Sequence, residues 1–294
     1  MWSVREALER FIQSLELTEG QQQEVVRQQT QVRECLVQRL QAKKVFLSGS
    51  YSRNTAIRPL HDIDLFVVLG AASLSSPLAS ASSTISMDAV FKQVQQALKQ
   101  EWSNKGPRLQ NHSVHIGFEE SGIAFDVVPA YADPSSGQEV FLIPEKDTGQ
   151  WIRTSPNIHK QRSTEANETA GKKLKPLLKA VKHWKRTHGS SPLRSFHLEV
   201  MSYSAFNTPP RDYLEGLERL FTHLSQRVQS PCPDPAHLGP AVDHLMSPTQ
   251  REAAHQVLAG AARQARLARE ESDSNPSSAH TRLINLFGEF YRKG

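Results

Sequence analysis

The chain is predicted to be an α+β protein of two domains. Up to about residue 150, segments with helical spacing are interleaved with short runs of β-branched and large apolar residues, which are typical of strands. After that point only helical spacing is found. We therefore expect a mixed sheet with helices in residues 1–150 and a helical lobe in residues 151–294, since domains usually contain ~100–200 residues.

Two helices are expected at the N-terminus. Apolar residues recur at helical spacing from Val4 to Leu15, and Thr18 followed by Gln21 has the pattern of a capping box. The second helix should run from Thr18 to about Ala42 and act as a spine for the first domain. Its buried stripe is predicted to consist of Val25, Val32, Leu36 and Leu40.

Strands and one more helix are expected between residues 45 and 128. Val45–Ser50 has the pattern of a short strand that ends in a turn of small residues, and Asp62–Leu69 that of a buried strand. The serine-rich residues 70–86 are expected to form a loop, with a helix from Ser86 to Trp102 behind it. A hairpin is predicted next, with strands Val114–Phe118 and Ile123–Val128.

No strand is predicted beyond about Trp151. Apolar residues spaced by three and four predict that the second half is helical. The expected helices cover residues 174–184, 196–206, 214–228, 249–271 and 283–291.

The composition excludes several classes of protein. The longest apolar run, Leu65–Ala72, is far shorter than the roughly 20 residues of a membrane span. Two cysteines, Cys35 and Cys232, are too few for a disulfide framework or a four-cysteine zinc site. We therefore expect a cytoplasmic protein without membrane contacts.

The net charge of +5 is compatible with nucleic-acid binding but does not require it, so activation by a nucleic acid is left open.

Gly49 and Ser50 have the features of a phosphate-binding turn. They follow a predicted strand and are expected to open a helix. Glycine lets the backbone approach an anion closely, while backbone amides at a helix start and the Ser50 hydroxyl can donate to phosphate oxygens. The pair alone is weak evidence, and its value depends on the acidic residues that follow.

Three aspartates are predicted to form a metal site. Asp62 and Asp64 are two residues apart on a predicted strand, so their side chains should lie on one face. Because like charges repel, such a pair indicates a cation between the carboxylates. Asp126 lies within another apolar strand, where a charge is costly unless it is paired or ligates a metal. Each aspartate alone could cap a strand or form an ion pair, but the three together behind Gly49-Ser50 favour a shared metal site.

These motifs resemble the DNA polymerase β-like nucleotidyltransferase superfamily, in which Gly-Ser precedes Asp-x-Asp on one strand and a third acidic residue on a neighbouring strand. The segment Gly49–Arg58 ahead of Asp62-Ile-Asp64 is most similar to the bacterial cGAS/DncV-like nucleotidyltransferases, which make cyclic oligonucleotide signals in CBASS antiphage defence. The resemblance covers about residues 18–290. It implies a two-lobed polymerase β-like core with a helical C-terminal lobe and an active site in the cleft.

The resemblance also implies a two-metal reaction. Asp62 and Asp64 would hold two Mg²⁺ ions, with Mn²⁺ as an alternative, and Asp126 would bind the second ion and help deprotonate a ribose hydroxyl. Nucleoside triphosphates would be the substrates, and pyrophosphate would leave at each bond. The expected product is a cyclic di- or trinucleotide that acts on a downstream effector.

Three residues of the second half match family positions that bind the donor nucleotide. Lys182 matches a lysine on the triphosphate, Ser195 a serine on the same phosphates, and Phe196 an aromatic residue that stacks on the base. Lys182 belongs to a basic stripe that also includes Lys175 and Lys179, and such a stripe is commonly only the solvated face of a helix. Phe196 is equally interpreted as a core residue.

Two other functions stay open. One is a linear transferase, similar to 2′-5′ oligoadenylate synthase or acting on RNA ends. The other is an inactive nucleotide-binding scaffold, against which the complete set of aspartates argues.

Protein partners are implied by the resemblance alone. A regulatory or conjugating protein from the same defence operon is expected, and the terminal Gly294 is the residue that conjugation would use. The sequence shows no cluster of cysteines and histidines like the zinc insertion of animal cyclic GMP-AMP synthase, because His112 and His115 supply two ligands at most. DNA-triggered activation through such an insertion is therefore not expected.

Overall fold

The computed structural model describes residues 2–60, 62–70, 86–136, 139–188, 192–292 and 294. This part of the chain forms two compact units. The sheet unit consists of Leu17–Arg53 and Arg58–Ile158, and the helical unit of Met1–Glu16, Asn54–Ile57 and His159–Gly294.

The described residues form ten α-helices and seven strands. The helices are α1 Val4–Ser14, α2 Glu19–Leu40, α3 Gly49–Ser52, α4 Met87–Glu101, α5 Pro156–Thr169, α6 Leu174–Thr187, α7 Ser195–Ser202, α8 Tyr213–Arg227, α9 Pro248–Glu271 and α10 Pro276–Phe287. The strands are β1 Lys44–Leu47, β2 Asp62–Val68, β3 Arg108–Leu109, β4 Val114–Phe118, β5 Ile123–Ala132, β6 Phe141–Glu145 and β7 Gln150–Thr154. None of the described helices combines the length and the apolar run that crossing a bilayer needs.

The sheet unit is organised around the pairing of β2 with β5. The strand order is β1-β2-β5-β4-β3, with β2 and β5 parallel and the other pairs of this order antiparallel. The end of β5 also pairs with β6, which pairs with β7. The register aligns Asp64 of β2 with Asp126 of β5, and Asp126 in turn with His115 of β4. Three ionisable residues therefore form one row across the sheet.

The N-terminal predictions are confirmed. Helix α1 begins behind the cap Ser3, and α2 begins behind Thr18, whose hydroxyl accepts from the Gln21 amide while the Gln21 side chain accepts from the Thr18 amide. The predicted stripe of α2 is buried. The helix behind Ser86 and the β4–β5 hairpin are also where the sequence predicts them, although β5 is longer than expected.

The prediction that strands end before Trp151 is wrong. Strands β6 and β7 form a hairpin that the sequence pattern does not indicate, and α5 directly follows β7. Pro144 lies within β6 and lacks a donor for a ladder hydrogen bond, which argues against a strand in sequence reasoning. Strand β7 does not alternate buried and exposed residues. The expected loop at residues 70–86 falls almost entirely on residues 71–85, which lie outside the described residues.

The described residues of the helical unit share an apolar core to which α1, α5, α6, α7, α8, α9 and α10 contribute. Phe11 of α1 stacks on Phe287 of α10 with ring centroids 4.4 Å apart. The indole of Trp184 on α6 meets Phe221 of α8 edge-on. Since residues from both ends of the chain contribute to this core, the first helix is part of the C-terminal helical structure.

The turn after β1 depends on a glycine. Gly49 has a φ of +61°, a conformation that favours glycine, and its backbone lies directly against Asp64. A Cβ at this position would be 1.6 Å from Asp64 Oδ2 and 2.9 Å from Asp64 Cβ. The backbone amide of Ser48 also donates to the Asp64 carbonyl at 2.8 Å. Only glycine therefore lets the turn pack this tightly against the acidic strand.

The close packing can be tested by a pair of alanine substitutions. Gly122 in the β4–β5 turn has a similar φ of +68°, but a Cβ there would meet nothing within 4 Å. Both Gly49→Ala and Gly122→Ala therefore strain the backbone, and only the first displaces Asp64. We expect Gly49→Ala to lower the free energy of unfolding by about 2 kcal/mol more than Gly122→Ala in urea titrations. Equal losses would show that the contact with Asp64 does not constrain the turn.

Candidate active site

The acidic residues lie on adjacent strands of the sheet unit. Asp62 and Asp64 are both on β2 and share a face, while Asp126 lies beside Asp64 on the parallel strand β5. The side chain of Asp62 is 55% exposed and that of Asp126 is 16% exposed. Solvent thus reaches the cluster from the Asp62 side. The structure brings all three sequence-predicted carboxylates together.

Burial and repulsion raise the pKa values of two of these carboxyls. The pKa of Asp64 is raised to about 6, first by burial and then by the charge of Asp126, with the nearby Arg53 opposing the shift. The pKa of Asp126 is also raised by burial, and the charge of Asp62 raises it further against a hydrogen bond from His115. Three carboxylates in this setting repel each other, and a bound cation would relieve that repulsion.

Sequence reasoning missed a fourth member of the cluster. His115 on β4 pairs across the sheet with Asp126, and its Nδ1 lies 2.9 Å from Asp126 Oδ1 and 3.8 Å from Asp62 Oδ1. From the sequence, His115 is considered only together with His112, as a possible zinc ligand, and is not combined with the register of the predicted hairpin. Alternation along the predicted hairpin was the available signal, since it places His115 and Asp126 on facing strands.

The cluster has the ligands of a metal site. Among the described residues, Asp62, His115 and Asp126 each offer one ligand atom, and these atoms lie within 4.8 Å of one another. Carboxylate oxygens are the ligands that hard divalent cations prefer. The donor set and the raised pKa of Asp64 fit a divalent cation on this face of the sheet.

Gly49 and Ser50 open the short helix α3, directly between β1 and the acidic strand in the chain. Gly49 contacts Asp64, so the predicted phosphate turn and the acidic residues belong to one local structure. Both residues are half-buried. Their contact with phosphate remains a prediction.

Lys182 is buried in the helical unit. Its ammonium donates to Glu199 Oε2 at 2.9 Å and to the Thr55 hydroxyl and carbonyl oxygens at 3.0 and 3.1 Å. The Thr55 hydroxyl donates to the same Glu199 oxygen, and the Tyr203 hydroxyl donates to the other. In this state the ammonium holds the segment Asn54–Ile57 and neutralises a fully buried carboxylate. Its predicted contact with a triphosphate is not tested by this geometry.

The basic stripe of α6 is not a solvated face. Lys179 is only 2% exposed and forms an ion pair with Glu16, and burial lowers the pKa of the half-buried Lys175. These lysines are therefore enclosed by the helical unit to a degree that the sequence pattern does not indicate.

Ser195 and Phe196 begin α7. The Ser195 hydroxyl is exposed and accepts a hydrogen bond from Lys185 Nζ at 3.3 Å. The half-buried Phe196 ring lies 5.2 Å from the His159 ring, and His159 forms a buried pair with Asp234 at 2.7 Å. Phe196 thus packs against the core and is half-buried. The nucleotide contacts of both residues remain predictions.

The shifted pKa of Asp64 predicts a pH dependence of stability without metal. The folded-state pKa of about 6 exceeds the ordinary value of 3.8, so the stability contribution of Asp64 falls as the pH rises from about 4 to 6. We expect Asp64→Asn to stabilise the metal-free protein by up to about 3 kcal/mol at pH 7 and by little below pH 4. Denaturation in chelator from pH 4 to 8 measures this difference. A constant difference across that range would contradict the assignment.

The buried pair of Lys182 and Glu199 predicts a non-additive loss of stability. Lys182→Met leaves a buried carboxylate without its cation and should cost about 3–5 kcal/mol. The double variant Lys182→Met/Glu199→Leu should be more stable than this single variant, as measured by urea denaturation. Arg162→Met, in an exposed ion pair with Glu165, is the control and should cost less than about 1 kcal/mol. Additive losses in the double variant would argue against a coupled pair.

Comparison with known proteins identifies the fold. A family model described as "Second Messenger Oligonucleotide or Dinucleotide Synthetase domain" matches residues 2–167. A cyclic AMP-AMP-AMP synthase from Acinetobacter sp. is 30% identical over 213 residues, which are 69% of this chain and 56% of that protein. The chain thus spans little more than half the length of this relative.

Two solved structures share the fold across almost the whole chain. CdnC of E. coli MS115-1 with ATP aligns with a TM-score of 0.76 at 18% identity, covering 98% of both chains. The complex of CdnC with HORMA-deltaN gives 0.74 at 18% identity and the same coverage. These likenesses confirm the predicted α+β, polymerase β-like fold with its helical C-terminal part. Because the family match covers more than half of the chain and includes all three aspartates, the chain belongs to the second messenger oligonucleotide or dinucleotide synthetase family, which confirms the resemblance drawn from its motifs.

Proposed function

We propose that this chain is a template-independent nucleotidyltransferase that joins nucleoside triphosphates into a cyclic di- or trinucleotide. The observation that carries the proposal is the cluster of Asp62, Asp64 and Asp126 on two adjacent strands, with the Gly49 turn packed against Asp64. This cluster concentrates negative charge and would repel the phosphates of a substrate unless divalent cations lay between them. A site for phosphoryl transfer uses such cations, because they bind both the carboxylates and the substrate phosphates.

In the proposed reaction the three carboxylates share the task of binding cations, and Asp126 has a second task. Asp62, Asp64 and Asp126 would hold the divalent cations, Mg²⁺ or Mn²⁺, which neutralise the triphosphate and activate the attacking hydroxyl. A ribose hydroxyl of one nucleotide attacks the α-phosphorus of another, and the bond to pyrophosphate breaks. Asp126 would help to deprotonate the hydroxyl while it binds the cation that activates this group.

Residues of the helical unit would bind the donor nucleotide. Ser195 is exposed at the start of α7, where a hydroxyl can meet a phosphate, and the half-buried Phe196 beside it is the aromatic residue that would stack on a base. Lys182 would supply positive charge to the triphosphate if its ammonium exchanges an oxygen of Thr55 for one of phosphate. These contacts rest on the family resemblance and on the positions of the side chains.

The comparisons favour adenine nucleotides and a ring of three. The Acinetobacter relative is named a cyclic AMP-AMP-AMP synthase, and CdnC was solved with ATP. We therefore propose ATP as the preferred substrate and cyclic tri-AMP as the first product to look for. A cyclic product would act through a downstream effector protein.

A regulatory protein partner is also proposed. CdnC was solved as a complex with HORMA-deltaN. A protein partner of this kind would control when the cyclic product is made. Conjugation through Gly294 remains a separate prediction. Gly294 lies against Trp2, with an added Cβ only 3.0 Å from the Trp2 nitrogen, so conjugation would require that contact to open.

The proposal is tested by incubating the purified protein with labelled triphosphates and Mg²⁺ or Mn²⁺. We expect a small product that resists phosphatase and has the mass of a cyclic oligonucleotide. Asp62→Asn and Asp126→Asn should each lower product formation by more than about 100-fold, because each removes a metal ligand. Glu119→Gln in the exposed β4–β5 turn is the matched control and should retain full activity.

Other outcomes would identify the alternatives. A phosphatase-sensitive ladder would show linear extension of the 2′-5′ oligoadenylate type, and nuclease digestion would give the linkage. Nucleotide binding without any product, with every candidate activator tested, would indicate a scaffold. Unchanged product formation by both aspartate variants would refute the catalytic assignment.

A further inference from the structure

His115 occupies a position that the predicted aspartate site does not account for. Its Nδ1 lies 2.9 Å from Asp126 Oδ1 and 3.8 Å from Asp62 Oδ1, and its side chain is 15% exposed. It projects from β4 at the residue directly opposite Asp126. The imidazole therefore borders the same space as two of the three carboxylates.

The spacing of these atoms suits a shared ion. In an octahedral site with bonds of about 2.1 Å, adjacent ligand atoms are about 3.0 Å apart and opposite ones about 4.2 Å. The measured 2.9 Å is close to the adjacent separation, and the 3.8 Å would reach the opposite separation with a shift of a few tenths of an ångström. All three ligand atoms lie within 4.8 Å of one another, so small side-chain movements would bring them around one ion. To bind a cation held by Asp62 and Asp126, His115 would carry its proton on Nε2 instead of on the Nδ1 that now donates to Asp126, which leaves the Nδ1 lone pair for the ion.

A nitrogen ligand changes which cation the site favours. Mg²⁺ strongly prefers oxygen ligands and holds its waters tightly, whereas imidazole suits transition metals. In the cluster found among the described residues, His115 is the one nitrogen donor beside two carboxylates.

We propose that His115 is a direct metal ligand and makes this site select Mn²⁺ over Mg²⁺. The inference rests on the proposed function only in assigning Asp62 and Asp126 to the metal. It adds a residue outside the three aspartates and fixes a property of the site, its preference among cations.

Mn²⁺ alone, added below one equivalent without nucleotide, tests the proposal directly. Electron spin echo envelope modulation reports a ¹⁴N nucleus bound to Mn²⁺, and we expect that signal in the unmodified protein. His115→Asn should abolish it, because asparagine keeps a donor near Asp126 but offers a hard amide oxygen to the ion. Titration should show that His115→Asn weakens Mn²⁺ binding by about 10-fold or more and changes Mg²⁺ binding by less than about 3-fold.

His112 provides the matched control. It precedes the same strand, but its Nδ1 contacts the Pro144 carbonyl oxygen at 2.9 Å, away from the cluster. His112→Asn should retain both the ¹⁴N signal and the preference for Mn²⁺.

Two results would overturn the proposal. One is the absence of a ¹⁴N signal from the unmodified protein, a measurement that does not depend on any variant folding. The other is an equal loss of Mn²⁺ and Mg²⁺ affinity in His115→Asn, which would show that His115 only orients Asp126 through a hydrogen bond. Neither result bears on whether a cyclic product forms, so the failure of this inference and that of the proposed function are distinguishable.

Discussion

Repulsion among three neighbouring carboxylates is the constraint on which the sheet unit depends. The parallel register of β2 and β5 places Asp64 beside Asp126, and Asp62 adds a third charge at the solvent edge. The fold holds these groups together although burial raises the pKa of both Asp64 and Asp126. A protein keeps such an arrangement when the charge serves binding, since an apolar strand pair would be more stable without it.

The two units handle buried charge in opposite ways. In the helical unit, Lys182 and Glu199 neutralise each other and the hydroxyls of Thr55 and Tyr203 complete the network. In the sheet unit, the three aspartates lie together, and the groups beside them include the imidazole of His115, which contacts Asp126, and Arg53, whose charge lowers the pKa of Asp64. The first arrangement pairs its opposite charges internally, whereas the repulsion in the second would be relieved by cations from solution.

Much of the fold could be predicted because its signals are local. The capping box at Thr18 and the Asp-x-Asp spacing need only a few neighbouring residues. The β6–β7 hairpin was missed because Pro144 argues against a strand that tertiary pairing nevertheless forms. The contact of His115 with Asp126 was missed because it depends on the pairing of β4 with β5. The burial of Lys179 was missed because its partner Glu16 is distant in the sequence. The three aspartates could thus be predicted from the sequence, whereas His115 and the burial of the charged side chains could not.

The short segment Asn54–Ile57 has a consequence for how the molecule can be divided. The chain passes from one unit to the other four times, after residues 16, 53, 57 and 158. A contiguous fragment of residues 17–158 would therefore carry Thr55 without Lys182 or Glu199, its partners in the intact chain. Excising the sheet unit as one contiguous fragment would therefore remove Thr55 from Lys182 and Glu199, so the helical unit would lose part of its own buried network.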